Sequence, residues 1–274
     1  MKPFRKKDEG LLLKGLKRIF ENIIKRVSAG NITPEEMQDI GRKFIASPEA
    51  DRSIRRLIAR MFRNIRVYTA GSWQEAATKG GYGQVIHNAL KHEMDGPVGA
   101  RIWQMISENA AYIKTIPQEW ARYISEYIAR ETLKGLRPEQ IEEELRKVMP
   151  AHMTKNLKCI ARTEAAKANA AITEARAEAC GIKCYFWRCV KDERSRDSHI
   201  GMDGVLVFYN DPPNPEALFG GGKPYGNYHA GNTFNCRCYQ EPVVDLNWLP
   251  DTMKVHVHGS IVTMTRAEVI KMAA

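Results

Sequence analysis

The sequence predicts an α+β chain. It should have a mainly helical N-terminal half, a long alanine-rich helix and a small C-terminal antiparallel sheet of roughly three to five strands. Three observations predict it. Apolar residues in the first half recur at helical spacing. Eight alanines crowd the stretch from Ala165 to Ala179. Beyond Gly181 the texture changes to short aromatic and β-branched runs, separated by Gly- and Pro-rich segments.

From Leu12 to Val27 the apolar positions predict one helix, with Gly30-Asn31 ending it. Thr33-Pro34-Glu35-Glu36 opens the next, with proline at the first helical position and a capping-box glutamate. Ser47-Pro48-Glu49 opens a third, without the box. On it Ile54, Leu57, Ile58, Met61, Phe62 and Ile65 make a core stripe opposite a face of arginines. Four glycines between residues 71 and 83 predict a loop or broken helix. Their spacing does not fit a phosphate-binding loop, since no Lys-Ser or Lys-Thr follows. Helical signal resumes at Val85–Leu90 and Val98–Tyr112. Pro117 then opens a stronger helix that Gly135 stops. Pro138 opens a short helix that Pro150 stops, and the alanine-rich helix follows over roughly 151–180, with Gly181 as its cap. Strands are expected over 183–190, 205–209 and 236–244. The long 210–233 loop between the last two is read as functional or partner-ordered. Val255 and Val257 start a hairpin turning at Gly259-Ser260, and Thr265-Arg266-Ala267-Glu268 caps a last helix. The large rings of Tyr185, Phe186 or Trp187 are expected against the alanine-rich helix, where small side chains leave room.

The chain has 274 residues, enough for one sizeable core or two modest ones. No window approaches eighteen apolar residues, so no membrane span is expected. The basic start resembles a signal peptide, but its apolar run breaks at Lys14 without a cleavage site. A protein made and kept in a reducing cytoplasm, or in a particle assembled there, is expected. The 42 basic residues exceed the 32 acidic ones, a net charge of +10 that draws the chain to polyanions. Six arginines, Arg52, Arg55, Arg56, Arg60, Arg63 and Arg66, form a candidate surface for a polyanion or protein partner. A solvated helix face is the plainer reading of the same run. All six cysteines lie between Cys159 and Cys238. Without a secretory signal, disulfides are the least favoured explanation, behind a metal site or small buried hydrophobes.

The rear half also carries an ordered set of motifs. Leu133-Lys134-Gly135-Leu136-Arg137-Pro138 comes first. Ile160-Ala161-Arg162-Thr163-Glu164 opens the alanine-rich helix. Then come Trp187 in an aromatic strand, Asp192-Glu193-Arg194-Ser195-Arg196-Asp197-Ser198-His199, Gly204, and Asn235-Cys236-Arg237-Cys238. From about Ile116 to Val244 the chain resembles the phage Mu F-like head morphogenesis family, the minor capsid proteins of tailed phages. That family often has a histidine just before its Asn-Cys-Arg-Cys, where this chain has Thr233-Phe234; the nearest is His229. The resemblance divides the chain into a helical region 1–115 for portal or other partner binding, a Mu F-like domain 116–244, and a C-terminal hairpin and helix 245–274. It implies a non-enzymatic minor head protein of the virion, assembled in the host cytoplasm and placed in the head interior or at the portal vertex. Its partners would be the portal protein, scaffold or major capsid protein, and packaged DNA, with roles in head morphogenesis and in DNA packaging or ejection.

Within the motif set, His199, Cys236 and Cys238 suit zinc, with His229 or Cys189 as a fourth ligand. The competing reading makes both cysteines buried hydrophobes and gives His199 a backbone carbonyl; on it the chain has no cofactor. Arg162, Glu164, Asp192, Arg194, Arg196 and Arg237 are expected in a buried or half-buried ion network. Two other functions remain open, a DNA-binding protein and a metal-dependent nuclease built on His199, Asp192 and Glu164. No nucleophile–base pair and no base-reading element is identifiable, so no catalytic residue is assigned.

Overall fold

The computed structural model describes residues 5–29, 33–79, 83–221 and 225–274. The helical half holds α1 (Lys6–Ile19), α2 (Glu21–Ser28), α3 (Pro34–Ala46), α4 (Pro48–Lys79), α5 (Gly83–Lys91), α6 (Pro97–Leu133) and α7 (Pro138–Ala179). Beyond it come β1 (Cys184–Arg188), α8 (Asp197–Gly201), β2 (Leu206–Phe208), α9 (Pro215–Phe219), β3 (Tyr239–Pro242), β4 (Thr252–Val257), β5 (Ser260–Thr265) and α10 (Arg266–Ala273). The α+β class is as the sequence predicts.

Several boundaries differ, each for a physical reason. The first helix is broken at Phe20, whose buried ring meets Phe44 and Trp120 at centroid distances of 5.2 Å each. Its expected stop at Gly30-Asn31 lies outside the described residues. The glycine-rich stretch stays helical to Lys79, because Trp73 and Ala77 are buried and a lone helical glycine costs only about 1 kcal/mol. Pro117 lies inside α6 and Pro150 inside α7. An internal proline costs roughly 3 kcal/mol. Here each proline is flanked by buried side chains, Ile116 and Trp120 in one helix and Met149 and Met153 in the other, whose packing offsets that loss. The capping boxes at Thr33/Glu36 and Thr265/Glu268 both form. Leu136 N–H bonds Glu131 O (3.2 Å) and Ile182 N–H bonds Ala177 O (2.8 Å), closing α6 and α7 at Gly135 and Gly181.

The chain forms two compact units of interleaved segments, with boundaries inside α4, α6 and α7. One, Glu9–Met61 with Met105–Ala161, is all helical. Its core includes Leu16, Phe20, Met37, Ile54, Ile58, Ile113, Trp120 and Leu157, and Trp120 Nε1 donates to Asn156 Oδ1 (3.1 Å).

The other unit comprises the described residues up to Asp8, those from Phe62 to Gln104 and those from Arg162 to Ala274. Its sheet has the order β3-β1-β2-β4-β5. It is mixed rather than wholly antiparallel: β2 and β4 run parallel through Leu206 and Val255. The long segment between them, which contains α9 and the edge strand β3, supplies the crossover a parallel pair needs. Period-two alternation sorts the side chains of β1 and β2. Tyr185, Trp187 and Val207 enter one core with Met202, Tyr228, Ala230, Cys236 and Cys238. Cys184, Leu206 and Phe208 enter a second with Leu249, Val255 and Val269, and Phe186 packs against that one. The element set close against the alanine-rich helix is the Gly231 turn: a β-carbon there would lie 3.2 Å from Ala170 Cβ and 3.4 Å from Ala166 O. The β4–β5 hairpin turns on His258-Gly259, one residue earlier than expected, with both residues at positive φ.

Candidate functional site

The site begins on α7. Arg162 Nη1 donates to Asn235 Oδ1 (2.9 Å), and Asn235 N–H donates to Thr163 Oγ1 (2.9 Å). Asn235 adopts φ +55°, a left-handed conformation that asparagine tolerates better than most residues. Clamped there, the chain turns Cys236 and Cys238 inward, although it is not yet a strand; β3 begins at Tyr239. The expected strand over 236–244 thus starts too early, yet both cysteines still reach one place. Opposite them stands His199 on the single turn α8.

His199, Cys236 and Cys238 are all buried. His199 Nδ1 lies 3.5 Å from Cys236 Sγ and 3.3 Å from Cys238 Sγ. On its other side Nε2 lies 2.9 Å from Tyr228 Oη, and Tyr228 donates to both Glu216 oxygens at 2.9 Å. Arg196 Nη1, which can only donate, also lies 3.3 Å from Nε2, so Nε2 faces both a guanidinium and the tyrosine hydroxyl while Nδ1 faces the two sulfurs. Ser198 Oγ also donates to Glu216 (3.3 Å). The Trp187 ring meets His199 edge-on, at 5.7 Å between centroids. No backbone carbonyl serves His199 among the described hydrogen bonds, contrary to the plainer sequence reading.

Cys189, just past β1, lines the same small cavity as His199, Cys236 and Cys238 but lies outside the cluster in which those three residues' ligand atoms are all within 4.8 Å of one another. Its thiol is lowered to about 6, first by a hydrogen bond from Cys238, and burial only partly opposes this. Cys238 is raised by the same contact, and Cys236 is lowered by its bonds with Cys238 and His199. Burial pushes the Tyr228 hydroxyl up, and Glu216 pushes it further. His229 lies outside the group: its Nδ1 is 3.1 Å from Tyr185 Oη.

The remaining motif residues make separate contacts of their own. Asp192 and Arg237 form a bidentate ion pair. Burial raises the Asp192 carboxyl, but Arg237 and the Arg194 N–H outweigh it and hold the group below its ordinary range. Arg196 donates to Phe234 O (2.8 Å) and lies over the Tyr225 ring. Glu164 is buried with Lys167 at 3.9 Å, and burial pushes its carboxyl up. Gly204, at φ +81°, is the turn that returns the chain to β1: its N–H bonds Trp187 O, and Trp187 N–H bonds Val205 O, both at 2.9 Å. The arginines of α4 divide. Arg52 pairs with Glu49 (2.7 Å), Arg55 with Asp51 (2.8 Å) and Arg66 with Glu93 (3.2 Å), while Arg56, Arg60 and Arg63 are exposed.

Sequence reasoning missed Glu216 and Tyr228, which lie in the 210–233 loop. The only local signal was Asn214-Pro215, which caps α9 and so places Glu216. It also missed the buried pair Arg176–Glu93 (2.6 Å), since nothing in an alanine-rich helix marks one arginine as interior.

The clasp of Arg162, Thr163, Trp187, His199, Gly204 and the Asn-Cys-Arg-Cys turn falls inside one family match. Residues 122–241 match the Phage Mu protein F like family. The Mu F like segment thus ends in β3, and it contains every residue of the cysteine–histidine group. A Haemophilus influenzae protein, itself described as uncharacterized, is 33% identical over 139 residues. That alignment takes in 51% of this chain and 28% of the relative, so the shared stretch is under a third of the relative's length. No solved structure matches the chain. No described helix is long and apolar enough to cross a membrane.

Proposed function

We propose that this chain is a phage minor head protein that acts in head morphogenesis at the portal vertex, inside the virion, with a structural rather than catalytic role. The observation that carries the reading is the match of residues 122–241 to the Mu F like family. The geometry supports it in kind: the motif side chains spend their contacts on one another and on the backbone, fixing a turn. Portal protein is the principal partner in this reading, with scaffold, major capsid protein and packaged DNA as further ones. Arg56, Arg60 and Arg63 on α4 supply an exposed basic face for an acidic protein surface or for DNA.

Deleting the gene from its phage should abolish plaques or reduce them sharply, with defective particles by electron microscopy. Normal titres with normal particles would refute the proposal.

A further inference from the structure

The cysteine–histidine group has the shape of an ion's coordination shell. A tetrahedral zinc with sulfur at ~2.3 Å and imidazole nitrogen at ~2.0–2.1 Å sets its nitrogen and sulfur ligands about 3.6 Å apart. His199 Nδ1 stands 3.5 and 3.3 Å from the two sulfurs, and the three ligand atoms lie within 4.8 Å of one another. Both sulfurs therefore face one and the same imidazole nitrogen, inside the protein. Cys189 lines the same small cavity, of about 40 Å³, together with His199, Cys236 and Cys238. The second nitrogen of His199 is tied through Tyr228 to Glu216, the outer hydrogen-bond support that metal-bound histidines usually have.

We infer that His199 Nδ1, Cys236 Sγ, Cys238 Sγ and Cys189 Sγ form a structural zinc site of the Cys₃His type. Binding would release the thiol protons to solvent and leave thiolates on the metal. The ion would join the end of β1, the α8 turn and the Asn235 turn, segments that contribute no long hydrophobic element of their own. Tyr228 and Glu216 are positioning residues, since they act through His199.

The test uses the full chain, purified under a reductant, stripped of metal and titrated with cobalt(II). The expected result is thiolate-to-cobalt charge-transfer absorption with tetrahedral d–d bands. These should saturate at one ion per chain and be lost on adding zinc. Cys236→Ser and Cys238→Ser should lose the charge-transfer signal, and Cys159→Ser should keep it. Cys189→Ser should weaken the signal and the affinity; an unchanged spectrum would overturn the assignment of Cys189. Tyr228→Phe should keep the spectrum and bind ~10–100-fold more weakly. Because a serine variant can fail to fold, the deciding measurement is on the unmutated chain. If that chain is reduced and helical by circular dichroism yet shows no charge-transfer band, the site is a cluster of buried thiols and the inference is wrong.

Discussion

Arg176 offers a test of how the sheet-bearing unit is held together. The residue is 1% exposed. It donates to Glu93 Oε1 (2.6 Å), Thr69 Oγ1 (2.7 Å) and Arg66 O (3.0 Å). It therefore ties α7 to α4 and to the turn between α5 and α6. Burial lowers its pKa, and Glu93 opposes that shift. Glu93→Gln keeps the shape but leaves the guanidinium buried without a counter-charge, so it should cost about 3–5 kcal/mol. Arg176→Met should cost less, about 1.5–3 kcal/mol for the lost charged hydrogen bonds. The carboxylate left behind still has Arg66 at 3.2 Å, and Thr69 keeps its bond to Ile65 O. The double variant should then be more stable than the two single losses added together, because neither residue leaves a charge stranded. Urea unfolding of the four proteins, followed by circular dichroism, measures the cycle. If the losses add to within about 0.5 kcal/mol, the pair is not coupled and the argument fails.

Two further outcomes follow from buried or exposed charge. Burial raises the carboxyl of Glu174, which accepts from Gln240 Nε2 (2.7 Å) and Asn232 Nδ2 (2.9 Å). A raised native pKa means the folded state takes up its proton first. Stability linked to this group is therefore fully present below the ordinary glutamate value of about 4.3 and is lost as pH rises through the native value. The unmutated chain should gain on Glu174→Gln, in urea midpoint, as pH falls through that window; parallel pH curves would show the carboxyl to be solvated. Replacing Arg56, Arg60 and Arg63 with Gln should leave the far-ultraviolet spectrum unchanged and reduce retention on portal rings or on duplex DNA, more so at low salt. Equal retention of variant and parent on both would show that this face is only solvated.

The helices were legible wherever local chemistry decides them. The Thr33 and Thr265 caps, the Ser47-Pro48 start and the Gly181 stop all stand as read. The misreadings share one cause. Gly71, Pro117 and Pro150 are local helix breakers overruled by the burial of the side chains beside them, and that burial is set by tertiary packing rather than by the local sequence. The parallel pairing of β2 with β4 was hidden for the same reason, because it depends on where the 209–251 segment goes.

The site divides along the same line. Residue type proposes His199, Cys236 and Cys238, and a strand over 236–244 would by its alternation point both cysteines to one face. The structure reaches that outcome by other means. Cys236 and Cys238 precede β3, and what orients them is a left-handed Asn235 gripped by two neighbouring residues of α7. This gives the motif set a physical meaning that no member has alone. Arg162 and Thr163 serve the cysteines through Asn235, Arg196 holds the preceding carbonyl at Phe234, and Arg237 is drawn outward to Asp192, so the residue between the cysteines leaves the interior to the sulfurs. A long loop then brings Tyr228 and Glu216 to the far side of His199. The charged residues around this core orient the turn, while the buried imidazole and thiols keep the chemistry, which is why the site's stability and any affinity it has for a metal should fall together when Asn235 is released.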